Sequence, residues 1–547
     1  MERSVAIENS ALWAAYGDAI GFITELATES NVHQRAGTRY IKTTLPWKRR
    51  IGGKFGVTLK LPAGCYSDDT QLRLSVSRAI GGAGSFDVEA FAKVELPLWS
   101  NYSLGAGRGS KVAASNLIKK QATWNNNFFA TDAVQYVNMG GNGAAMRIQP
   151  HVWSFSSDKS KTSLIKDIVR DSITTHGHLR GILGAVLHGL FLLDALESGQ
   201  ILPPAQWLKI IRELEAVPSI VQNDEQLSLI WLPVWEEVSQ KSFADECQVV
   251  IGEIISDANT VMSLDTTEYT RFVSELKGYD ESTRGSATKT ALLASTLAYL
   301  FRTDPEGAVV TSANTLGSDT DTIGTMAGAL LGATVPDKPN GPLLDQSYIC
   351  AEAARMYKIG LGLPSHTFAY PDLLNWNPAP SPLDFIQATD NGYVFSVLGN
   401  IAPCANSVVA DTNDFSWQWF KTSFGQSLLV KSRKNIKKLH SNDIDLSSKY
   451  KLFSATRIQE HDQLSLIRDN DTPKTKADLL KSTNRNPHKG LTVDEAFDRV
   501  LISKFNPEVI GHMLLELTDF DDSIERSIAF AALVSKARIA RLKSQKD

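Results

Sequence analysis

The sequence contains few cysteines, and their spacing excludes two kinds of covalent or metal cross-link. The 547 residues include four cysteines, and no two of them form a Cys-x-x-Cys pair; they are Cys65, Cys247, Cys350 and Cys404. Thiolate metal sites and disulfide frameworks need closely spaced cysteines, so neither is expected. Because scattered, unpaired cysteines suit a reducing compartment, we expect a cytoplasmic location.

The sequence also lacks a long apolar run and a strong charge of either sign. The longest apolar run, residues 181–195, is interrupted by His188 and Asp194 and predicts a buried helix, so no membrane contact is expected. The amino terminus begins an amphipathic helical pattern and does not resemble a signal peptide. The net charge of -4 gives no general reason to expect binding to nucleic acid.

The length and the hydrophobic periodicity predict a large helical domain followed by smaller parts. A chain of 547 residues exceeds one average domain, so two or three domains are expected. Helical patterns dominate to Leu363, and we predict one all-α domain over residues 1–365. Within it, residues 32–61 are basic and loop-like.

The residues from Ser318 to Thr322 form a dense run of side-chain oxygens. Asp319 and Asp321 alternate there with hydroxyl residues, directly before an apolar helical pattern. A single helix cap needs one such residue, so capping explains Ser318 or Asp319 but not the whole run. We therefore favour a metal site at this helix start.

Glycines recur every four residues in the helix that follows this run, at Gly324, Gly328 and Gly332. Residues four apart share a helix face, so these glycines predict a surface that another helix backbone can approach closely. Such packing would hold Asp319 and Asp321 in a fixed place.

A second acidic segment, Ser67 to Thr70, repeats the composition of the first. Ser67 is a good helix cap, and Asp68 and Asp69 fall in the first turn, where the helix dipole favours anions. Adjacent carboxylates repel each other, and a divalent cation is the usual way to stabilise them. Oxygen ligands without Cys or nearby His favour Mg²⁺, Mn²⁺ or Ca²⁺ over zinc.

Taken together, these segments resemble the ADP-ribosylglycohydrolase family, which includes the dinitrogenase-reductase-activating glycohydrolase. The resemblance covers roughly residues 5–360, in family order, and rests on these motifs: Gly17-Asp-Ala-Ile-Gly21 with Glu25, Tyr66-Ser-Asp-Asp-Thr-Gln71, Gly141-Asn-Gly-Ala-Ala-Met-Arg147, Thr175-His176 and Gly317-Ser-Asp-Thr-Asp-Thr322. It implies an all-α orthogonal helical bundle with a pair of divalent cations, usually Mg²⁺ with Mn²⁺ as an alternative, in a central cleft. It also implies hydrolysis that removes ADP-ribose from a modified acceptor at the ribose anomeric carbon.

The resemblance also assigns roles to individual positions. Seven residues match the metal ligands: Glu25, Ser67, Asp68, Asp69, Asp319, Asp321 and Thr322. Six match segments that contact ADP-ribose: Gly105, Gly107, Asn142, Gly143, Met146 and His176. Glu25 is our first choice for the carboxylate that takes the proton, with Asp69 second, because Glu25 stands apart from the paired aspartates.

The predicted chemistry is physically consistent with such a site. The ribose 2′- and 3′-hydroxyls form a cis diol that a pair of cations can chelate, which orients the anomeric carbon. Glycosidic cleavage passes through an oxocarbenium-like state that nearby carboxylates stabilise. Two alternatives stay open, a module of the same fold that binds ADP-ribose or a partner without turnover, and a two-metal phosphohydrolase.

The carboxy-terminal third matches no pattern that assigns a function, and we predict a smaller mixed α/β extension. Residues 366–384 are rich in proline and predict a linker or wrapping segment, residues 385–470 a β-containing segment, and residues 471–547 a helical tail. The basic run Lys431 to Lys438 fits a solvated face. Because Trp417, Trp419 and Phe420 lie nearby, contact with nucleic acid or a partner protein is the alternative prediction.

Overall fold

The computed structural model describes residues 1–53, 56–390, 392–405, 409–438, 493–503, 505–521, 527–528 and 530–535. The chain divides into two compact units, residues 1–458 and residues 459–547. The α-helices of the first unit are α1 (Arg3–Gly21), α2 (Glu29–Ala36), α3 (Asp68–Ala79), α4 (Val88–Ala90), α5 (Leu96–Tyr102), α6 (Arg108–Leu117), α7 (Gln149–Trp153), α8 (Lys161–Ile173), α9 (Leu179–Ser198), α10 (Trp207–Glu213), α11 (Val217–Asn223), α12 (Leu232–Ser239), α13 (Phe243–Ser263), α14 (Tyr269–Glu275), α15 (Ala287–Leu300), α16 (Pro305–Asn314), α17 (Thr320–Gly332) and α18 (Gln346–Gly360).

Shorter turns and two sheets complete the first unit. Single 3₁₀ turns occur at Tyr136–Asn138, Ala145–Arg147, Pro204–Gln206, Leu214–Ala216 and Pro382–Asp384, and π-helical turns at Phe91–Glu95 and Leu227–Trp231. The strands are β1 (Trp47–Ile51), β2 (Val57–Leu61), β3 (Ile386–Thr389), β4 (Gly392–Phe395), β5 (Gly399–Pro403), β6 (Ala410–Asp411), β7 (Phe415–Thr422) and β8 (Ser427–Arg433). The predicted helical architecture with a β-containing region after it is confirmed.

Helices α1 and α17 form the centre of the helical body through the predicted glycine stripe. A Cβ atom added at Gly324 would lie 2.7 Å from the carbonyl oxygen of Gly17. Added Cβ atoms at Gly328 and Gly332 would overlap the carbonyl oxygens of Trp13 and Asn9. The two backbones therefore pack directly on each other, as the four-residue period predicted, and the amino end of α17 is fixed by this contact.

One sequence-based expectation about the amino-terminal region is wrong. Residues 32–61 are not simply loop-like, because β1 and β2 pair as an antiparallel hairpin with Trp47 opposite Leu61 and Lys48 opposite Lys60. Trp47, Leu59 and Leu61 are buried on one face, whereas Lys48 and Lys60 are exposed on the other. The basic residues on the outer face obscured this alternation in the sequence.

The carboxy-terminal sheet is antiparallel and curls over the helical body. Its strand order is β3-β4-β5-β7-β6, and β8 pairs with the other edge of β7. Hydrogen bonds connect the sheet to the helices. Arg78 of α3 donates to Gln426 over 2.7 Å, and Asn101 of α5 donates to the carbonyl oxygen of Lys431 over 2.9 Å.

Residues 366–384 lie along the helical body and bond to it at several points. The hydroxyl of Thr367 accepts a hydrogen bond from the backbone N–H of Gly82 over 2.7 Å, and Tyr370 donates to Glu95 over 2.8 Å. The predicted residue boundaries of the linker, the β-containing segment and the tail stay predictions, and the part of the predicted β segment from 439 to 470 lies outside the described residues.

Helix α9 is long and apolar enough to cross a membrane, but 83% of its apolar window is buried inside the protein. His188 in its middle is fully buried and bonded to Gln149 over 2.9 Å. The helix therefore reads as a core element, as the interrupted apolar run predicted.

The second unit contains α19 (Val493–Ile502) and α20 (Pro507–Asp521). Their apolar residues pack into a small core that also includes Phe530 and Val534. Residues 471–492, 504, 522–526, 529 and 536–547 of the predicted helical tail lie outside the described residues.

Candidate functional site

The acidic segment Ser67 to Thr70 lies at the amino end of α3, and hydrogen bonds within the segment fix its geometry. Ser67 caps the helix, with its hydroxyl oxygen accepting from the backbone N–H of Asp69 over 3.2 Å. The same hydroxyl donates to Asp69 Oδ2 over 3.0 Å. Ser67, Asp68 and Asp69 are all buried. Capping therefore accounts for Ser67 and leaves both aspartates without a capping role.

Asp18 of α1 braces this helix end, a role that the sequence pattern did not reveal. Its carboxylate accepts from the backbone N–H of Ser67 over 2.8 Å, and from the backbone N–H and hydroxyl of Thr70 over 2.9 and 2.6 Å. Asp18 is fully buried, so these bonds satisfy both of its oxygens. It thereby locks α3 to α1 and fixes where Asp68 and Asp69 stand.

The acidic segment Ser318 to Thr322 lies at the amino end of α17. Asp319 occupies the capping position but makes no capping bond; instead, its Oδ2 accepts from the side-chain amide of Asn142 over 2.8 Å. Asp321 and Thr322 are buried in the first turn, and Asp321 Oδ1 accepts from the backbone N–H of Thr322 over 3.0 Å. The capping explanation is therefore wrong for Asp319.

Glu25 lies in the tight turn that follows α1, and the last residue of α1, Gly21, contacts α17. A Cβ atom added at Gly21 would lie 2.5 Å from the Cα of Asp321, so the two segments touch. The Glu25 carboxylate accepts from Arg49 Nη2 of β1 over 2.7 Å. Arg35 donates to the carbonyl oxygens of Ile23 and Glu25 over 3.0 and 2.9 Å, which holds this turn in place.

The carboxylates from these three segments influence each other electrostatically. Burial raises the pKa of Asp68 well above its usual range, and the charges of Glu25 and Asp18 raise it further. Burial has the same effect on the pKa of Asp69, with added contributions from Asp18, Asp68 and Asp319. The pKa of Asp321 is raised by burial and then by Glu25, Asp69 and Asp319. The structure therefore brings the carboxylates of Glu25, Asp68, Asp69, Asp319 and Asp321 close enough to interact electrostatically. Glu25 and Asp319 are half-buried, and the other three are buried.

One oxygen of this cluster lacks any partner within the described part of the chain. Asp69 Oδ1 is buried and accepts no hydrogen bond, although an unsatisfied buried acceptor costs roughly 1–3 kcal/mol. The charge of Arg73 opposes the rise in the Asp69 pKa. The Arg73 guanidinium donates hydrogen bonds to Gln149, Thr70, Thr325 and the carbonyl oxygen of Met146. Burial lowers the pKa of Arg73 to about 10, so it stays charged at neutral pH.

The glycine-rich loop before α6 lies against the acidic cluster at one point. Gly105 has a φ of +79°, which only glycine adopts easily, and a Cβ atom there would be 3.1 Å from Asp68 Oδ1. The backbone N–H of Asp68 donates to the carbonyl oxygen of Leu104 over 2.7 Å. Gly107 is exposed at the amino end of α6, with open space where a Cβ atom would stand.

The segment from Asn142 to Arg147 connects the cluster to His176. A Cβ atom at Gly143 would be 3.0 Å from the His176 ring, and Arg147 donates to the Gly143 carbonyl oxygen over 3.0 Å. Burial, and then the charge of Arg147, lower the pKa of His176 to about 3, so its imidazole is neutral at physiological pH. Met146 is buried, and its side chain is part of the core.

The donor set fits a hard cation in its chemistry. It offers only carboxylate and hydroxyl oxygens, and it includes an orphaned buried oxygen and mutually repelling carboxylates. In the described part of the chain, however, no three His, Cys, Asp or Glu side chains stand in an arrangement that could hold an ion. The residues are therefore suited to a cation by type and location, and a cation would have to draw them closer together.

Comparisons with known proteins support the sequence resemblance. The sequence model of the ADP-ribosylglycohydrolase family matches residues 10–336. The chain is 28% identical over 280 residues to ADP-ribosylhydrolase ARH3 of Danio rerio, covering 49% of this chain and 69% of that protein. It is 26% identical over 220 residues to ADP-ribosylhydrolase ARH1 of Dictyostelium discoideum, covering 38% of this chain and 52% of that protein.

The chain is also similar to an uncharacterized bacterial protein and to one solved structure. The uncharacterized protein YegU of Escherichia coli (strain K12) is 26% identical over 341 residues, covering 58% of this chain and 84% of that protein. A solved ADP-ribosylglycohydrolase-related protein complex aligns with 20% identity and a TM-score of 0.40, covering 66% of this chain and 99% of that chain.

Proposed function

Because the chain belongs to the ADP-ribosylglycohydrolase family, we propose that it is a divalent-metal-dependent hydrolase that removes ADP-ribose from a modified acceptor. The bond cleaved would be the one at the ribose anomeric carbon. The observation that carries the proposal is the gathering of Glu25, Asp68, Asp69, Asp319 and Asp321, with a buried oxygen of Asp69 left without a partner.

Asp68 and Asp69 from α3, and Asp319, Asp321 and Thr322 from α17, would hold a pair of Mg²⁺ ions, with Mn²⁺ as a substitute. Ser67 and Glu25 complete the proposed ligand set. Bound there, the cations would neutralise the carboxylates and chelate the cis diol of the ribose. The protein's own contribution is rigidity, since Asp18 and the helix contact between α1 and α17 fix both helix ends before any ligand arrives.

Glu25 is our proposed proton acceptor for the attacking water, with Asp69 as the alternative. Burial raises the pKa of Glu25, and the ion pair with Arg49 opposes that shift. One Glu25 oxygen is bound to Arg49, and the turn that carries it is held by Arg35. A buried carboxylate with a raised pKa is better matched to proton transfer near neutral pH than an ordinary surface carboxylate.

The nucleotide part of the substrate would lie along Gly105, Gly107, Asn142, Gly143 and His176. Gly105 borders Asp68, and Asn142 is bonded to Asp319, so both segments adjoin the acidic cluster. The neutral His176 would offer a hydrogen-bonding group without repelling or attracting charge. Met146 would act through the position of its segment, because its side chain is buried.

The test is to incubate the protein with Mg²⁺ and a panel of differently linked ADP-ribosylated substrates, and to follow free ADP-ribose. We expect release from at least one linkage, lost with chelator and reduced at least 100-fold by Asp321→Asn. Full activity of that variant would remove the role given to α17. Asp158→Asn, an exposed carboxylate, is the matched control.

The second candidate is a module of the same fold that binds ADP-ribose or a partner without turnover. Calorimetry showing tight ADP-ribose binding, together with no release from any substrate in the panel, would favour it. The complete set of acidic positions favours the enzyme over this candidate.

The identity of the partner and the cellular location are also proposals. The partner would be an ADP-ribosylated protein or other ADP-ribosylated acceptor in the cytoplasm. Contact of the basic run with nucleic acid gains little support, because Trp417 and Phe420 are buried and cannot stack on bases. Lys431 lies over the rings of Phe415 and Trp417, and Arg433 pairs with Asp384, which fits a structural role.

A further inference from the structure

The segment between Glu29 and Asp68 is purely basic, in a protein whose net charge is -4. It contains no Asp or Glu, and its Lys and Arg residues are Arg35, Arg39, Lys42, Lys48, Arg49, Arg50, Lys54 and Lys60. Such a one-sided charge run inside an acidic protein creates a local positive field. None of these lysines and arginines belongs to the proposed metal or nucleotide site.

The two strands of the hairpin carry four of these cations, which lie on opposite faces. Arg49 lies on the inner face with buried Trp47 and bonds to Glu25. Lys48, Arg50 and Lys60 are exposed on the outer face. The hairpin therefore uses Arg49 to fix the turn at Glu25, while Lys48, Arg50 and Lys60 face the solvent.

The outer face contains a like-charge pair that folding does not explain. Lys48 stands directly opposite Lys60 across the two strands, an arrangement that is destabilising in an antiparallel pair. Neither lysine forms an ion pair with any residue that the structure describes. A surface that keeps such a pair is suited to an external anion.

A recess of about 420 Å³ opens between α2 and this hairpin, and its lining includes Arg35, Lys48, Arg49 and Arg50. The remaining lining side chains are aliphatic or uncharged and polar. Because Arg49 bonds to Glu25 over 2.7 Å, the recess directly adjoins the acidic cluster. A group bound in the recess would therefore lie beside the proposed reaction centre.

We propose that this recess is an acceptor subsite that binds acidic side chains flanking the ADP-ribosylated residue of a polypeptide. This inference rests on the proposed function and narrows its substrate class. The acidic cluster would hold the ribose, and the basic recess would hold carboxylates of the acceptor a few residues away. Selection among acceptors would then come from the sequence around the modified residue.

The lining favours an acidic peptide over a nucleic acid strand. Single-stranded nucleic acid is usually held by aromatic side chains that stack on bases along an extended basic groove. The recess is compact, and none of the described residues that line it is aromatic. Binding of a single-stranded oligonucleotide is accordingly an outcome that the test must exclude.

The test measures fluorescence anisotropy of a labelled Glu-rich peptide, its Gln counterpart and a single-stranded oligothymidylate with the full chain. We expect the Glu-rich peptide to bind about tenfold more tightly than the Gln peptide at low salt, with the difference lost at high salt. The variant K48E/R50E should abolish this preference. The matched control K209E/R212E reverses two exposed charges on α10 and should leave it intact.

Equal binding of the two peptides, tighter binding of the oligothymidylate, or a preference that survives K48E/R50E would overturn the inference. Steady-state kinetics then distinguish a failure of this inference from a failure of the proposed function. With the active linkage placed in Glu-, Gln- and Lys-flanked peptides, kcat/KM should fall in that order, mainly through KM, and the order should reverse in K48E/R50E. Recess-dependent binding without ADP-ribose release from any substrate would count against the proposed function alone, and release without flank preference against the inference alone.

Discussion

Asp68, Asp69 and Asp321 are buried carboxyl groups whose folded-state pKa values are raised by burial and by one another. A raised carboxyl pKa means that the folded state holds its proton to a higher pH than the unfolded chain does. These groups therefore favour folding below the unfolded pKa of about 3.9 and oppose it as pH rises, unless a cation offsets the charge.

Replacing one of these charges should stabilise the metal-free protein. At neutral pH in chelator, Asp321→Asn should raise Tm by a few degrees, because on the order of 1 kcal/mol corresponds to roughly 2–4 °C. Adding Mg²⁺ should raise the Tm of the wild-type protein and have a smaller effect on the variant. Differential scanning calorimetry of both, with Asp158→Asn as control, would contradict the account if Asp321→Asn lowered Tm without metal and left the Mg²⁺ shift unchanged.

His176 gives a pH dependence of the opposite sign. Its pKa is lowered from 6.5 to about 3 by burial, so between these values the unfolded chain binds a proton that the folded protein does not. Stability supplied by neutral His176 is complete above about pH 6.5 and is lost as the pH falls, by up to ~1.4 kcal/mol per pH unit.

Urea titrations from pH 7 to pH 4 should therefore show a shallower stability loss for His176→Gln than for the wild-type chain. His33→Gln, which changes an exposed histidine, should follow the wild-type curve. Parallel curves for wild type and His176→Gln would contradict the prediction, because they would show that folding does not lower the pKa of His176.

The contacts of single side chains were the hardest part to predict. The sequence identified the acidic residues by their composition, but Glu25 and Arg49 are 24 positions apart with no periodic relation. The bracing of α3 by Asp18 likewise depends on how α1 and α3 pack. Such long-range pairs follow from the tertiary fold and leave no local pattern.

Among the structural elements, the contact between α1 and α17 controls the site. Gly328→Ala would place a Cβ atom on the Trp13 carbonyl oxygen, so the helices must separate. We expect a loss of about 2 kcal/mol or more in unfolding free energy and reduced activity, since overpacking costs ~1–3 kcal/mol.

The matched control is Gly252→Ala in α13, where an added Cβ atom meets open space. This change should raise stability by about 1 kcal/mol, because alanine is the better helix former. Guanidinium denaturation of both variants tests the pair, and a neutral or stabilising Gly328→Ala would refute the close contact.

The same elements show where pattern analysis succeeds. A four-residue glycine period needs only helix geometry to predict a close contact, and the contact is present. The β1–β2 hairpin was missed because its exposed positions carry Lys48, Arg50 and Lys60, residues that are not typical of strands. Within the predicted β-containing segment, residues 385–470, strand β7 is rich in aromatic residues, which are typical of strands.

For the whole molecule, the structure indicates that the carboxy-terminal sheet supports the site. Ser427 of β8 donates to Asp345 through its backbone and its hydroxyl, and Tyr66, next to Ser67, donates to the same carboxylate over 2.8 Å. A buried hydrogen-bond network thus joins the sheet to Tyr66, the residue before the acidic segment Ser67 to Thr70.

A chain ending at Leu363 should therefore fold poorly, whereas a chain ending at Ile458 should retain the unfolding transition and activity of the first unit. Removing the sheet would break its hydrogen bonds with Arg78, Asn101 and Asp345, each contributing about 0.5–3 kcal/mol. Circular dichroism melts and ADP-ribose release of both chains are the measurements. A shorter chain as stable and active as the longer one would make the sheet an independent attachment.

The most direct test of the account is where cations bind. Anomalous diffraction from a crystal soaked with Mn²⁺ and ADP-ribose should show a pair of peaks bounded by Asp68 and Asp69 on one side and Asp319 and Asp321 on the other, with the ribose diol against them. Peaks elsewhere, or a ribose bound away from these four carboxylates, would contradict the central claim that the three acidic segments form one site.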